Sequence, residues 1–291
     1  MRIGHMTIEM SPEQIGKVLQ GIKIPPQPQI LVDIQMEQIM PNPDITQIAR
    51  LIRRDVGLAG TILKVVNSPF YGIKSHITSI EQAVALLGLT SVVNIVNGIS
   101  IKGSMSDAQI TELTKFWDTT SDVASIAASI ARKVGYHSPD EAYLLGLFHN
   151  CGIPLMMLRY PNYKDLQIRS YADPDKRITE WENEQIQTNH AVVGYYTARA
   201  WNLPPELCQI IAEHHRVDTE YFTEDSGPHQ RKALTAILKT AEHLAGNYQK
   251  LGNQSEDHEW DRIHEAVLEL LGLSSYDLDE MIDSLGDSGL L

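Results

Sequence analysis

Histidines are the residues of this sequence best suited to chemistry, because the 291-residue chain contains 11 of them. Imidazole nitrogens bind divalent metal ions, and a nearby carboxylate can bridge two such ions. Ions held in this way lower the pKa of a bound water molecule, which permits hydrolysis. The candidate ligands lie in the second half of the chain: His149, His190, His214, His215 and Glu242. They predict at least part of a site for metal-assisted hydrolysis.

Each of these histidines also has a purely structural interpretation. A lone histidine at a helix end more often caps carbonyl groups or fills a gap in the core than binds a metal ion. The adjacent pair, His214 and His215, makes ligation as plausible as a structural role. Both interpretations therefore stay open at this point.

The segments that carry the candidate ligands are predicted to be helices. His149 follows the apolar run 142–148, and His190 opens the amphipathic segment 191–201. The histidine pair ends the predicted helix 205–213, and Glu242 lies on the predicted helix 234–244. Four helices could therefore bring these side chains to one pocket.

The rest of the chain has the same helical pattern. Apolar residues recur at three- and four-residue spacing, and one such stripe is Val123, Ile126, Ala127 and Ile130. Helix-start signals occur at 44–47, 78–81 and 138–141. No alternation typical of strands is found. The sequence predicts an all-α, multi-helix bundle with an N-terminal helical subdomain.

A small, polar stretch at 102–109 predicts the main division of the chain. We expect an N-terminal helical half over 12–105 and a second helical half, with most of the histidines, over 106–250. The acidic segment 251–291 is expected to form helices that close the bundle.

Charge and composition narrow the function classes. The formal net charge of −13 repels phosphate backbones, so no nucleic-acid partner is expected. The short basic run Arg50, Arg53 and Arg54 is interpreted as a solvated helix face. No apolar stretch is long enough for a signal peptide or a membrane span, and two cysteines exclude a disulfide framework. We expect a cytoplasmic protein without a membrane partner.

The order of the candidate ligands resembles the HD phosphohydrolase superfamily, whose motif reads His, His-Asp, His, His-His, Asp. The chain departs from that motif at three ligand positions. Thr119 stands where the first histidine belongs, Asn150 replaces the aspartate of the His-Asp pair, and Glu242 replaces the last aspartate. An amide is a poor bridge between two cations, and Asn150 is expected to cap the next helix instead.

The first half resembles a degenerate branch of that superfamily, the HDOD (HD-related output) domain of bacterial signalling proteins. The run Asn67-Ser68-Pro69-Phe70-Tyr71-Gly72, followed by Ser79-Ile80 and Leu87-Gly88, carries the resemblance. The later segments Val192–Gly194 and Trp201–Pro205 also look like that family, and the similarity covers about residues 20 to 245. From residue type alone, Gly88 is expected to end a helix, and Trp201 is expected in or near the core with a partner for its N–H group.

The resemblance implies a non-catalytic module of bacterial signal transduction that binds a signalling protein or a small ligand. Asn67, Phe70 and Tyr71 are the partner-binding candidates, with burial of both rings as the alternative. No cofactor is expected, although the surviving histidines could hold an adventitious divalent metal ion. The alternative function is a metal-dependent phosphohydrolase, similar to a phosphodiesterase, that uses those histidines.

Overall fold

The structure is a computed structural model that describes residues 12–25, 29–67, 73, 76–103, 113–223 and 228–287. Every regular element within these residues is a helix, which confirms the predicted all-α fold. The candidates Phe70 and Tyr71 lie outside the described residues. No helix among the described residues combines the length and the apolar character that crossing a bilayer requires.

The first half consists of short helices. They are α1 (Pro12–Leu19), α2 (Gln29–Gln38), α3 (Ile45–Arg53), α4 (Val56–Val66), α5 (Ile80–Leu87) and α6 (Leu89–Gly103). The side chains of Asp44, Asp55 and Ser79 accept a backbone N–H at the starts of α3, α4 and α5. Gly88 ends α5 with a φ of +78°, as predicted. The basic run on α3 is exposed, also as predicted.

The second half contains the longer helices. They are α7 (Thr114–Lys133), α8 (Pro139–Phe148), α9 (Gly152–Arg159), α10 (Tyr163–Tyr171), α11 (Ile178–Ile186), α12 (His190–Ala200), α13 (Pro205–Glu213), α14 (Thr219–Thr223), α15 (His229–Leu244), α16 (Asn247–Lys250), α17 (His258–Leu271) and α18 (Ser275–Asp287). Helix α7 packs on α8 and α15, α9 packs on α12, and α15 also packs on α17.

The core is continuous through both halves of the described chain. The predicted stripe of α7 is buried over its whole length, with at most 1% of any of its four side chains exposed. Trp201 is fully buried, and its indole N–H donates to the carbonyl of Pro25 at 2.9 Å. The prediction for Trp201 is therefore correct, and this bond joins two segments that are 176 residues apart in sequence.

Asn67 closes the loop that follows α4. Its amide nitrogen donates to the carbonyls of Leu63 at 2.7 Å and Ile77 at 2.8 Å, and its amide oxygen accepts from the N–H of Ile77 at 2.7 Å. The side chain thus holds the two ends of the loop together, which is a structural use of a residue predicted as a partner contact. The prediction of partner binding at Asn67 remains a prediction.

Candidate functional site

The structure brings all four candidate histidines and Glu242 into one buried pocket, called the imidazole pocket below. Each imidazole is at most 1% exposed, and Glu242 is 7% exposed. Ring centroids lie 4.1 Å apart for His214 and His215, 4.9 Å for His190 and His215, and 5.6 Å for His149 and His214. The pocket therefore gathers side chains that are up to 93 positions apart in the sequence.

Helix ends aim these side chains at the pocket. His149 ends α8, His190 begins α12, and His214 ends α13, while Glu242 lies in the last turn of α15. A helix end leaves backbone groups unpaired, so polar side chains placed there can satisfy them and still reach inward. The predicted helical locations of all these residues agree with the structure.

Glycine sets the distance between two of these helices. A Cβ atom on Gly152, at the start of α9, would lie 2.0 Å from the carbonyl oxygen of His190 and 2.9 Å from the nitrogen of Gly194. Only a residue without a side chain permits this contact. The backbone that follows His149 is thereby held against the backbone of His190.

Hydrogen bonds favour the same tautomer in all four histidines. In each, Nδ1 faces an oxygen: Gly146 O at 2.7 Å for His149, Glu182 at 2.8 Å for His190, Ile211 O at 2.8 Å for His214, and Glu259 at 2.9 Å for His215. A neutral ring whose Nδ1–H donates to oxygen carries its lone pair on Nε2. Backbone carbonyls and carboxylates orient metal-binding histidines in this way.

Three of these lone pairs converge. The Nε2 atoms of His190, His214 and His215 have no hydrogen-bond partner among the described residues, and the ligand atoms of the three side chains lie within 4.8 Å of one another. Burial and neighbouring cationic groups hold the pKa values of His214 and His215 well below the ordinary range, which keeps both rings neutral. Three converging acceptors fit one divalent ion that prefers imidazole ligands.

His149 differs from the other three histidines, because its Nε2 atom has a hydrogen-bond partner, the amide of Asn150. The amide Nδ2 of Asn150 lies 2.8 Å from Nε2 of His149, and the ring donates through Nδ1 to Gly146. The expectation that Asn150 caps the next helix is wrong: Cys151 is the N-cap of α9 and makes no side-chain cap bond. Since both residues are buried, the amide serves as the partner of the imidazole instead.

Glu242 is paired with a buried cation. The ammonium of Lys239 lies 2.8 Å from Oε2 of Glu242 and 3.1 Å from Oε2 of Glu259. Burial alone would raise the pKa of Glu242, but the ammonium of Lys239 outweighs it and holds that pKa well below its usual range. Burial would likewise lower the pKa of Lys239, but the two carboxylates outweigh it and raise that pKa. Both groups therefore stay charged.

Thr119 does not replace the missing histidine. It is 2% exposed, and its hydroxyl donates to the carbonyl of Lys115 one turn earlier in α7, at 2.7 Å. A neutral hydroxyl bound in this way is a weak ligand compared with an imidazole. The position predicted to have lost a ligand contains no substitute for one.

Four residues of the site were not among the sequence candidates: Glu182, Glu259, Lys239 and Tyr163. The first two hold His190 and His215, Lys239 neutralises Glu242, and the phenol of Tyr163 donates to Glu182. His215 and Glu259 are 44 positions apart, so no local spacing indicates their contact. The only signal in the sequence is charge on helices that must be largely buried.

Comparison with known proteins supplies a family. A sequence profile described as the HDOD domain matches residues 24–217. An uncharacterized protein of Treponema pallidum (strain Nichols) is 26% identical over 197 residues, which is 67% of this chain and 38% of that protein. The chain thus spans well under half of the length of this curated relative.

Solved structures share the fold. A protein of Shewanella amazonensis SB2B, named as a candidate phosphohydrolase, superposes with a TM-score of 0.66 and 20% identity, covering 94% of this chain and 95% of the other. A candidate signal transduction protein of Marinobacter aquaeolei VT8 gives a TM-score of 0.65 and 20% identity, covering 94% of this chain and 60% of the other. The fold is therefore an HD-domain-like helical bundle.

Proposed function

The chain belongs to the HDOD domain family, and on that premise we propose that it is a non-catalytic regulatory module of bacterial signal transduction. In this proposal it binds a signalling protein or a small ligand, and the imidazole pocket does not turn over a substrate. The name of the Marinobacter aquaeolei VT8 relative, a candidate signal transduction protein, supports the regulatory part. The chemistry of the pocket supports the non-catalytic part.

One observation carries the non-catalytic part: the amide of Asn150 lies 2.8 Å from Nε2 of His149. In a pocket for two metal ions, this position needs a carboxylate that bridges them, and the neighbouring imidazole needs a free lone pair. An asparagine supplies no charge, and its N–H donates to the lone pair. One ligand is thus missing and a second is occupied.

The remaining carboxylate is also poorly placed to serve two ions. Oε2 of Glu242 forms an ion pair with the ammonium of Lys239 at 2.8 Å. Its other oxygen, Oε1, lies 3.3 Å from the amide nitrogen of Asn247. A cation that competes for Glu242 must displace an ammonium that is itself almost fully buried. The charge balance of the pocket therefore opposes a second metal ion.

The second candidate function is a metal-dependent phosphohydrolase, and the three converging Nε2 atoms favour it. His190, His214 and His215 offer the ligand set of a single imidazole-bound ion. The carboxylates of Glu182, Glu242 and Glu259 outnumber the one ammonium of Lys239 by two, which matches the charge of a divalent ion. A single ion in this pocket could polarise a water molecule for hydrolysis, or it could only stabilise the fold.

Hydrolysis assays distinguish the two functions. The protein is incubated with a cyclic dinucleotide or with bis(p-nitrophenyl) phosphate in the presence of magnesium, manganese or iron(II). We expect no turnover above that of the matched double variant His214→Ala with His215→Ala, because one ligand is missing and another is occupied. Metal-dependent hydrolysis that the double variant abolishes would establish the phosphohydrolase instead.

Metal content gives an independent measure. After treatment with a chelator and desalting, elemental analysis is expected to find less than one zinc or nickel ion per chain, bound by the imidazole group. A tightly held, stoichiometric pair of ions would contradict the proposal, since a pair requires the bridging group that Asn150 does not provide.

A further inference from the structure

A large cavity lies outside the imidazole pocket. Its volume is about 520 Å³, and α7, α10 and the segment 249–253 around the end of α16 form its walls. Cavities of this size accommodate small organic ligands. Thr119 is the one sequence candidate that lines it, and none of the four pocket histidines does.

Three lysines and two aspartates, Asp118 and Asp122, line the cavity, so its lining carries a net positive charge within an acidic protein. Lys115, Lys164 and Lys250 line it, in a chain whose net charge is −13. Lys250 forms an ion pair with Asp122 at 2.8 Å. Lys115 and Lys164 form no ion pair among the described residues, and both are exposed. Two lysines that line one cavity and have no ion-pair partner in the described part of the chain fit an anionic group of a ligand.

The other walls fit hydroxyl groups and a small apolar surface. Asp118 lines the same cavity, and its carboxylate has no hydrogen-bond partner among the residues that the structure describes. A carboxylate repels a bare anion but accepts hydrogen bonds from hydroxyl groups. Ile168 and Leu251 add half-buried apolar side chains to the lining, against which a carbon skeleton can pack.

The backbone of this wall is fixed in an unusual conformation. Asn253, which lines the cavity, has a φ of +53°. A Cβ atom on Gly252 would lie 2.5 Å from the side chain of Tyr171, so the turn is tightly packed against α10. Non-glycine residues with positive φ concentrate at functional sites, although asparagine tolerates this region better than most.

From these features we infer that the cavity is a binding site for a small sugar phosphate, that is, a hydroxyl-bearing molecule with one phosphate group. The phosphate contacts Lys115 and Lys164, a hydroxyl group donates to Asp118, and the carbon skeleton lies against Ile168 and Leu251. This inference goes beyond the proposed regulatory function and does not depend on it, because the site shares no histidine with the pocket.

Titration calorimetry with ribose 5-phosphate on the full chain tests the inference. We expect binding that weakens at least about tenfold in the double variant Lys115→Gln with Lys164→Gln, because both phosphate contacts are removed. Both lysines are exposed, so the melting temperature of the variant should match that of the wild type. Lys64→Gln, an exposed lysine of α4 outside the cavity, is the matched control and should bind normally.

Uncharged ribose and inorganic phosphate complete the test. Both should bind at least about tenfold more weakly than ribose 5-phosphate, since each lacks one of the two kinds of contact. Absence of ribose 5-phosphate binding at about 10 mM, or equal affinity for inorganic phosphate, overturns the assignment. Equal affinity in the double variant does so as well. None of these outcomes bears on turnover at the imidazole pocket, so the two proposals fail separately.

Discussion

At the scale of the residue, Lys239 does part of what a metal ion would do in the same pocket. Its ammonium lies within 3.1 Å of two carboxylates, Glu242 and Glu259, and the second of these also orients His215. A covalently attached cation cannot dissociate, so these two carboxylates keep a counter-ion whether or not metal is present. We therefore expect these two carboxylates to stay paired in the metal-free protein.

Asn150→Asp should restore a metal ligand and should make the metal-free protein less stable. The new carboxylate replaces the N–H that now binds His149, and it is buried without a cation, so we expect a loss on the order of 3 kcal/mol in the free energy of unfolding. Affinity for zinc or manganese should rise about tenfold or more, because a charged ligand is added and a lone pair is freed. Urea denaturation and metal titration measure the two effects.

The control for this variant is Asn150→Leu, which removes the amide N–H without adding charge. It should free Nε2 of His149 but gain little metal affinity, since no anionic ligand is added. If Asn150→Asp binds metal no better than Asn150→Leu, then position 150 does not face the metal-binding atoms and the interpretation of the pocket is wrong.

The two buried histidines of lowered pKa predict how stability depends on pH. Below about pH 6.5 the unfolded chain takes up protons at His214 and His215, whereas the folded chain does not until much lower pH. The unfolded state is thereby favoured as the pH falls. The free energy of unfolding of the metal-free protein should decrease by about 1.4 kcal/mol per pH unit for each histidine, or about 2.8 kcal/mol per pH unit for both.

Urea denaturation between about pH 5 and pH 7.5 measures this slope. His214→Asn keeps a donor for the carbonyl of Ile211 and should reduce the slope by about half. Glu242 has a lowered pKa, so its contribution is lost only below about pH 4.5 and does not overlap this range. A stability that stays constant down to pH 5 would mean that the rings are protonated in the folded state.

At the scale of the element, the contact between α9 and α12 depends on Gly152. Gly152→Ala places a Cβ atom 2.0 Å from the carbonyl oxygen of His190, and a backbone atom cannot rotate away as a side chain can. We expect a loss of about 3 kcal/mol in the free energy of unfolding, at the upper end for overpacking. Denaturant unfolding monitored by circular dichroism measures it.

Gly60→Ala is the matched control for this contact. Gly60 lies inside α4, and a Cβ atom there would meet nothing within 4 Å. Alanine is the better helix former, so this variant should gain about 0.5–1 kcal/mol. If the two substitutions changed the free energy of unfolding equally, the close contact at Gly152 would not be what determines the packing of α9 on α12.

The helices and their ends could be predicted from the sequence, whereas the partners of the pocket residues could not. His149, His190 and His214 lie at helix ends because the apolar periodicity stops or starts at them, which is local information. Asn150 has the same local signature as a helix cap, and only the fold places it beside His149. Lys239 and Glu259 lie on different helices, so their contact depends on packing that spacing does not encode.

At the scale of the whole molecule, the bond from Trp201 to Pro25 joins the beginning of the described chain to the helices of the pocket. Trp201→Phe keeps a buried ring but leaves that carbonyl without its donor. We expect a loss of about 1–3 kcal/mol in the free energy of unfolding. Since the core is continuous, calorimetry should still show one transition in which both halves unfold together.

Trp181→Phe is the comparison for this bond. The indole N–H of Trp181 donates to Asp173, only eight residues away and partly exposed, so its loss should cost less. Two separate transitions in Trp201→Phe would instead indicate that the halves are independent domains, in agreement with the division predicted near residue 105.

The four-residue helix α16 lies between a small cavity beside Glu242 and the large cavity described above. Asn247 and Tyr248 line a cavity of about 20 Å³ beside Glu242 and Lys239, which is room for about one water molecule, while Gln249 and Lys250 line the large cavity. A ligand that shifts this helix must also move the amide that contacts Glu242. If such a ligand changes the affinity of the imidazole pocket for metal by some factor, bound metal must change the affinity of the large cavity for that ligand by the same factor.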